Sequence, residues 1–182
     1  MRYFIQFGLS VIIICSIGYA ENLKECESEE DKIQGCVAKL EVLGFPVVET
    51  PYKNGKEDGI QKWYYHNGKL WRETPYKNGK EDGIAKYYSE NGKLMQETSY
   101  KNGKRDGIAK YYSENGKLRS ETPYKDGKLD GIEKYYSENG NLIATMTYQK
   151  GKAISAKCAN GRVLSGEYPF SLDEINMHKT CG

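Results

Sequence analysis

The sequence predicts an all-β fold, an elongated single-layer antiparallel β-meander of 24-residue hairpin repeats with a short N-terminal helical cap. Three observations predict it. Residues 49–144 spell nearly the same 24 residues four times, as ETPYKNGKEDGIQKWYYHNGKLWR, ETPYKNGKEDGIAKYYSENGKLMQ, ETSYKNGKRDGIAKYYSENGKLRS and ETPYKDGKLDGIEKYYSENGNLIA. A fixed period of this length marks a supersecondary unit that buries its apolar face only by leaning on its neighbours. Each copy holds two turn signals and two short runs rich in Tyr and Thr, and it is poor in the Val, Ile and Phe that a deep core needs.

The first 20 residues read as a leader, not as part of the fold. Met1-Arg2 gives a positive start, Phe4 to Ile17 is apolar apart from Gln6, Gly8, Ser10 and Ser16, and Gly18-Tyr19-Ala20 closes the stretch with the small residues a signal peptidase reads. The pattern is that of a secretory signal and is short for a membrane span. A lipid anchor on Cys15 would need a small residue before it, and Ile14 stands there. The expected location is therefore exported: periplasmic, at the cell surface or secreted.

Residues 21–48 read as an N-terminal cap. The segment is acidic, and Leu23, Cys26, Ile33, Cys36, Val37 and Leu40 recur at roughly helical spacing, as in a short helix covering the first strand edge.

The array itself occupies residues 49–152, four full copies and a decayed fifth that begins TMTYQKGKAI at Thr145. In the second copy the run Gly83 to Ser89 lies between Asp82-Gly83 and Asn91-Gly92. Asn-Gly tolerates positive φ at both central positions of a type I′ turn, so the chain is expected to reverse tightly at Asn91-Gly92. The return run, Lys93 to Tyr100, ends at a second and longer loop, Lys101-Asn102-Gly103-Lys104. Alternation places Ile84, Lys86 and Tyr88 on one face and Ala85, Tyr87 and Ser89 on the other. Repetition then builds ladders: Trp63, Tyr87, Tyr111 and Tyr135; Tyr64, Tyr88, Tyr112 and Tyr136; Tyr52, Tyr76, Tyr100, Tyr124 and Tyr148; and Leu70, Leu94, Leu118 and Leu142. Tyrosine suits a one-layer sheet because the ring packs while the hydroxyl stays wet. Pro51, Pro75 and Pro123 lack a ladder donor and should sit where that amide has no partner; Ser99 replaces them in the third copy.

Residues 153–182 read as a C-terminal cap, with a possible helix start at Ser171 ahead of Asp173 and Glu174. Cys26, Cys36, Cys158 and Cys181 flank the array, two on each side. An even number in an exported chain implies disulfides, and three pairings are possible. Separation in sequence favours Cys26 with Cys36 and Cys158 with Cys181, which keeps each bridge local to its own cap.

The resulting repeat, a Tyr-Tyr run, Asn-Gly, Lys-Leu, Glu-Thr, and a Tyr-Lys-Asn-Gly-Lys loop into Asp-Gly, resembles the bacterial variant of the MORN repeat, the family of YwqK-type proteins often labelled antitoxins. The resemblance covers residue 49 to about residue 152. It implies an elongated twisted meander used for contacts, with proteins or with lipids, or as a spacer. The leader and the cysteines depart from a cytoplasmic antitoxin, and an exported copy would neutralise a toxin in the envelope, as an immunity protein does.

Charge narrows the partners. The chain has 27 Lys plus Arg, one of them Arg2, against 25 Asp plus Glu, so 26 face 25 once the leader is removed. Nucleic-acid binding rests on a basic excess that is missing here. No catalytic constellation is evident. His66 and His178 share no motif, the serines at 89, 113 and 137 have no base beside them, and the row Asp58, Asp82, Asp106, Asp130 lacks the alternating acidic ligands of a calcium loop and reads as turn formation. Neither a metal nor a cofactor is expected. The leading expectation is a non-enzymatic platform for a protein partner, antitoxin-like or immunity-like. The alternative is an envelope or host-surface module touching lipid headgroups or glycans. Candidate contact residues are the aromatic ones: Trp63, Tyr65 and Trp71 in the first copy, then Tyr87, Tyr111 and Tyr135.

Overall fold

In a computed structural model, residues 23–42, 45–164 and 181 are described. The leader, residues 1–20, and the helix expected after Ser171 lie outside them. The elements are α1 (Glu29–Gln34), β1 (Cys36–Val42), β2 (Phe45–Lys53), β3 (Lys56–Glu57), β4 (Gly59–Tyr64), β5 (Leu70–Lys77), β6 (Lys80–Glu81), β7 (Gly83–Tyr88), β8 (Leu94–Lys101), β9 (Lys104–Tyr112), β10 (Leu118–Lys125), β11 (Lys128–Leu129), β12 (Gly131–Tyr136), β13 (Leu142–Gln149), β14 (Lys152–Cys158) and β15 (Val163–Leu164). They form one sheet in which sequence neighbours are spatial neighbours, with β3, β6 and β11 as short ribbons beside the main path. This is the open antiparallel meander expected.

The two turns of the repeat exchange roles relative to expectation. Asn78 and Gly79 both have positive φ, 52° and 79°, and Lys77 pairs with Lys80, so the tight two-residue reversal is the Lys-Asn-Gly-Lys loop. At the other turn only Gly92 is left-handed, the Gly92 N–H donates to Ser89 O at 2.8 Å, and the Ser89 N–H donates to Lys93 O at 2.9 Å. That geometry is a type I turn over Glu90-Asn91 closed by a glycine bulge. The bulge continues into the strand, where Tyr87 pairs with Gln96 but Tyr88 with Leu94, leaving Met95 as the extra residue.

Proline sits where the ladder is interrupted. β5 pairs with β7 through Arg72 and Glu73 and with β6 through Tyr76 and Lys77, and Pro75 falls between the two stretches. Asp82 N–H donates to its carbonyl at 2.9 Å. Gly83 packs directly on this proline: at φ 124°, a Cβ would lie 2.8 Å from Pro75 Cγ. In the third copy Ser99 replaces the proline, and the short ribbon and the strand merge into the continuous β9.

The sheet has two dissimilar faces. On one, each second tyrosine of the Tyr-Tyr pair meets a glutamate of the preceding strand. Tyr64, Tyr88, Tyr112 and Tyr136 donate to Glu49, Glu73, Glu97 and Glu121 at 2.8 to 2.9 Å. Lys86 and Lys134 pair with Glu73 and Glu121 at 3.1 and 3.4 Å. Burial, reinforced by the bond to glutamate, pushes each of these four hydroxyls up to about 12. On the other face a floor of Thr74, Ala85, Thr98, Ala109 and Thr122 is buried, although the sheet has a single layer. It is flanked by half-buried rings of the Trp63/Tyr87/Tyr111 and Tyr76/Tyr100/Tyr124 rows.

The repeats are also clamped along the loop edge. The Gly79, Gly103, Gly127 and Gly151 N–H groups donate to the carbonyls of Glu57, Glu81, Arg105 and Leu129 in the preceding loop at 2.7 to 2.8 Å. Asp58, Asp82, Asp106 and Asp130 accept from the N–H of Asn78, Asn102, Asp126 and Lys150 at 3.1 to 3.2 Å. The aspartate row, read from sequence as turn formation, therefore joins one repeat to the next.

The two ends of the described array are built by different means. The short helix expected within residues 21–43 is α1. Ser28 caps it through Asp31 N–H, Gly35 at φ 112° ends it, and Cys36 onward extends as β1. The C-terminal carbonyls of α1 replace a preceding repeat: Ile33 O and Lys32 O accept from Asn54 and Gly55 N–H at 3.0 and 2.9 Å. A Cys26–Cys36 disulfide holds residues 24–26 against the outer edge of β1, where Val37 exchanges backbone bonds with Lys24 and Cys26. At the far end Tyr135, Ile143, Ala144, Met146 and Ala156 form the buried core cluster, with Leu164 and Cys181 packed on it. The second disulfide is Cys158–Cys181. Both pairings are those favoured by sequence separation.

Candidate functional site

Pairing register assembles one continuous row across the face that carries the Thr/Ala floor: Val48, Trp63, Arg72, Tyr87, Gln96, Tyr111, Ser120, Tyr135, Ala144. Its character changes from one end to the other. Ser120 and Tyr135 are buried at the C-terminal end, and Tyr135 is only 5 % exposed within the core cluster. Of the six aromatic candidates, this one is placed inside the molecule. The signal was present where the fourth copy passes into the fifth: Ile143, Ala144 and Met146 stand where Arg119, Ser120 and Thr122 stand one repeat earlier.

The N-terminal end of the row is open and aromatic. Trp71 occupies the bulge position and is 41 % exposed. Its ring meets Trp63 edge-on with centroids 6.4 Å apart and Tyr65 at 6.2 Å. These rings are held from below. Trp63 Nε1 donates to Gln61 Oε1 at 2.9 Å, Gln61 Nε2 donates to Thr50 Oγ1 at 3.0 Å, and the Tyr65 hydroxyl donates to Tyr88 O in the next repeat at 2.7 Å. Bonds at the ring edges fix the orientation of the faces, which is the property of an aromatic anchor.

Beyond it, Arg72 stacks over the Tyr87 ring at 5.0 Å and donates to Glu81 at 2.8 Å. Tyr87, Met95, Gln96, Tyr111 and Arg119 then line an open groove of about 500 Å³. Burial pushes the Tyr87 and Tyr111 hydroxyls up. The face thus offers an aromatic knob followed by a groove, spanning the first three copies.

Met95, Arg119 and Arg72 were not singled out from the sequence. The two residues after Leu in each copy, Trp71-Arg72, Met95-Gln96, Arg119-Ser120 and Ile143-Ala144, vary while the Leu before them repeats, and the first of the two is the bulge position. The bulge turns that variable position onto the tyrosine face. Simple alternation assigns it to the opposite face, so Trp71 was legible as an aromatic residue while Met95 and Arg119 at the same position were not. No group of three or more His, Cys, Asp or Glu among the described residues is arranged to hold a metal ion.

Comparison with known proteins agrees with the repeat reading. The MORN repeat variant model matches four times, at residues 57–78, 81–102, 105–126 and 129–150. Residues 57–150 are therefore an array of MORN repeat variants with a 24-residue step. No curated protein matches the chain. Among solved structures it is similar to accessory secretory protein 1,2 and 3 of Streptococcus pneumoniae, at 13 % identity and a TM-score of 0.23, over 86 % of this chain and 23 % of that one.

Proposed function

We propose that the protein is exported and acts without catalysis as a platform for another protein, with the Trp63/Tyr65/Trp71 knob and the adjoining groove as its contact surface. The observation that carries this reading is Trp71: a large ring lifted by a bulge onto the surface, oriented by two other aromatic rings, beside a groove. Interfaces concentrate their binding energy in such rigid Trp, Tyr and Arg residues. Export is supported by the leader pattern and by two disulfides, which persist in oxidising compartments. No helix among the described residues is long and apolar enough to cross a membrane. Within this reading the partner is a toxin-like protein met in the envelope, and the role is that of an immunity protein. Chemical cross-linking in the native envelope tests it. A stoichiometric protein joined to residues around Trp71 and Met95, and lost in Trp71→Ala, supports the platform. Cross-links confined to lipid or polysaccharide would replace it with a surface-contact role.

A further inference from the structure

The loop edge carries an arrangement that folding alone disfavours. In four successive hairpins two lysines face each other across the tight turn: Lys53 with Lys56, Lys77 with Lys80, Lys101 with Lys104 and Lys125 with Lys128. Like charges directly opposite in a β-ladder are destabilising. All eight are exposed, and none has an ion pair among the described residues. Asp58, Asp82 and Asp106 each accept a backbone N–H of the next loop and form no ion pair with these lysines.

The row is continuous. Lys56 lies beside Gly79, Lys80 beside Gly103 and Lys128 beside Gly151, so the base of one loop's second lysine packs near the next loop's glycine at three of the four steps. Two strands per repeat set successive pairs about 10 Å apart. Between loops the edge is concave, with a groove of about 390 Å³ lined by Lys56, Lys77, Lys80, Asn78 and Asn102 and by one carboxylate, Asp82, so three lysines face a single acid there. The backbone N–H groups of the two asparagines are engaged by Asp58 and Asp82, and both residues line the groove.

We propose that this edge binds a linear acidic polysaccharide, with the lysine pairs on its carboxylates and the asparagine amides on its hydroxyls. Charge recurring along a line, with neutral hydrogen-bonding groups between, matches a chain of alternating acidic and neutral sugars. A flat bilayer fits less well. Neighbouring strands twist by about 20–25°, so the edge turns by roughly 40–50° per repeat, and a plane touches few lysine pairs at once while a linear polymer follows the winding. The site is separate from the tyrosine face and independent of the protein-platform reading.

The test is titration of the purified protein with a linear polyuronate and with the same polymer methyl-esterified at its carboxyls. Phosphatidylglycerol vesicles and an oligo-dT strand serve as other polyanions. Wild-type protein and Trp71→Ala are expected to bind the polyuronate alike and to ignore the ester. Lys80→Glu with Lys104→Glu is expected to weaken binding about tenfold or more, and Asn78→Ala with Asn102→Ala to weaken it without changing its salt dependence. Equal binding by the charge-reversed protein, absence of binding at low salt, or equally tight binding of vesicles or oligo-dT would overturn the proposal.

Discussion

Asp82 accepts a hydrogen bond from the backbone N–H of Asn102 at 3.2 Å, reaching from the base of one hairpin loop to the tip of the next. The same bond recurs from Asp58, Asp106 and Asp130, always over 20 residues. With so little deep core, nearest-neighbour coupling of this kind holds the array together.

Asp82→Ala should therefore cost about 1 kcal/mol in denaturant unfolding, the scale of one hydrogen bond. Amide exchange should accelerate at Asn102 and Gly103 in the following repeat, more than at Asp82 itself. Unchanged exchange at Asn102 would show that the contact carries no coupling.

The threonine floor gives a contrast between two chemically identical substitutions. Thr74 is fully buried and its hydroxyl has no partner, whereas the Thr122 hydroxyl donates to the buried Glu133 at 2.6 Å. Thr74→Val should be neutral or stabilising. Thr122→Val should destabilise by about 1–3 kcal/mol, because it leaves a buried carboxylate short of a donor. Thermal melts of the two variants check the difference in sign.

Alkali should unfold the protein over a defined window. The hydroxyls of Tyr64, Tyr88, Tyr112 and Tyr136 are raised to about 12 by burial and by their bonds to glutamate. In the unfolded chain they ionise near 10. Their contribution is fully present below pH 10 and is lost as pH rises toward about 12. Phenolate absorbance followed together with circular dichroism should show loss of the sheet within that window. Glu97→Gln, which keeps an acceptor but removes the charge, should bring the titration of Tyr112 closer to its ordinary value.

Reduction should loosen the ends and spare the middle. The Cys26–Cys36 bridge holds residues 24–26 on the edge of β1, where Val37 N–H donates to Lys24 O at 2.8 Å. Exchange at Val37, and in β14 beside Cys158, should rise with reductant. The amides around Gln96 and Tyr111 should stay protected. Uniform loosening across all copies would contradict local caps.

Much of this was legible in the sequence because one repeat, read four times, fixes period, strand direction and turn positions together. What was misread has physical causes. Asn78-Gly79 and Asn91-Gly92 are the same dipeptide, and only the flanks decide that one closes in two residues while the other becomes a type I turn with a bulge. In the second, Ser89 Oγ accepts from the Lys93 N–H at 3.2 Å and helps hold the wider loop. The short helix expected in the N-terminal cap is α1, but Cys36, Val37 and Leu40, which fit its spacing, lie beyond Gly35 and pair with β2 as a strand. At the candidate site the aromatic residues were visible and their faces were not, since a one-residue bulge displaces Trp71, Met95 and Arg119 from the alternation.

The most direct measurement of the central claim is residue-resolved cross-linking of the protein to its envelope partner, comparing wild type, Trp71→Ala and the doubly charge-reversed Lys80→Glu, Lys104→Glu protein. The account predicts one stoichiometric protein joined near Trp71 and Met95, retained by the charge-reversed protein and lost from Trp71→Ala. The same partner recovered equally by all three, or joined only to the glutamate and lysine face, would contradict it.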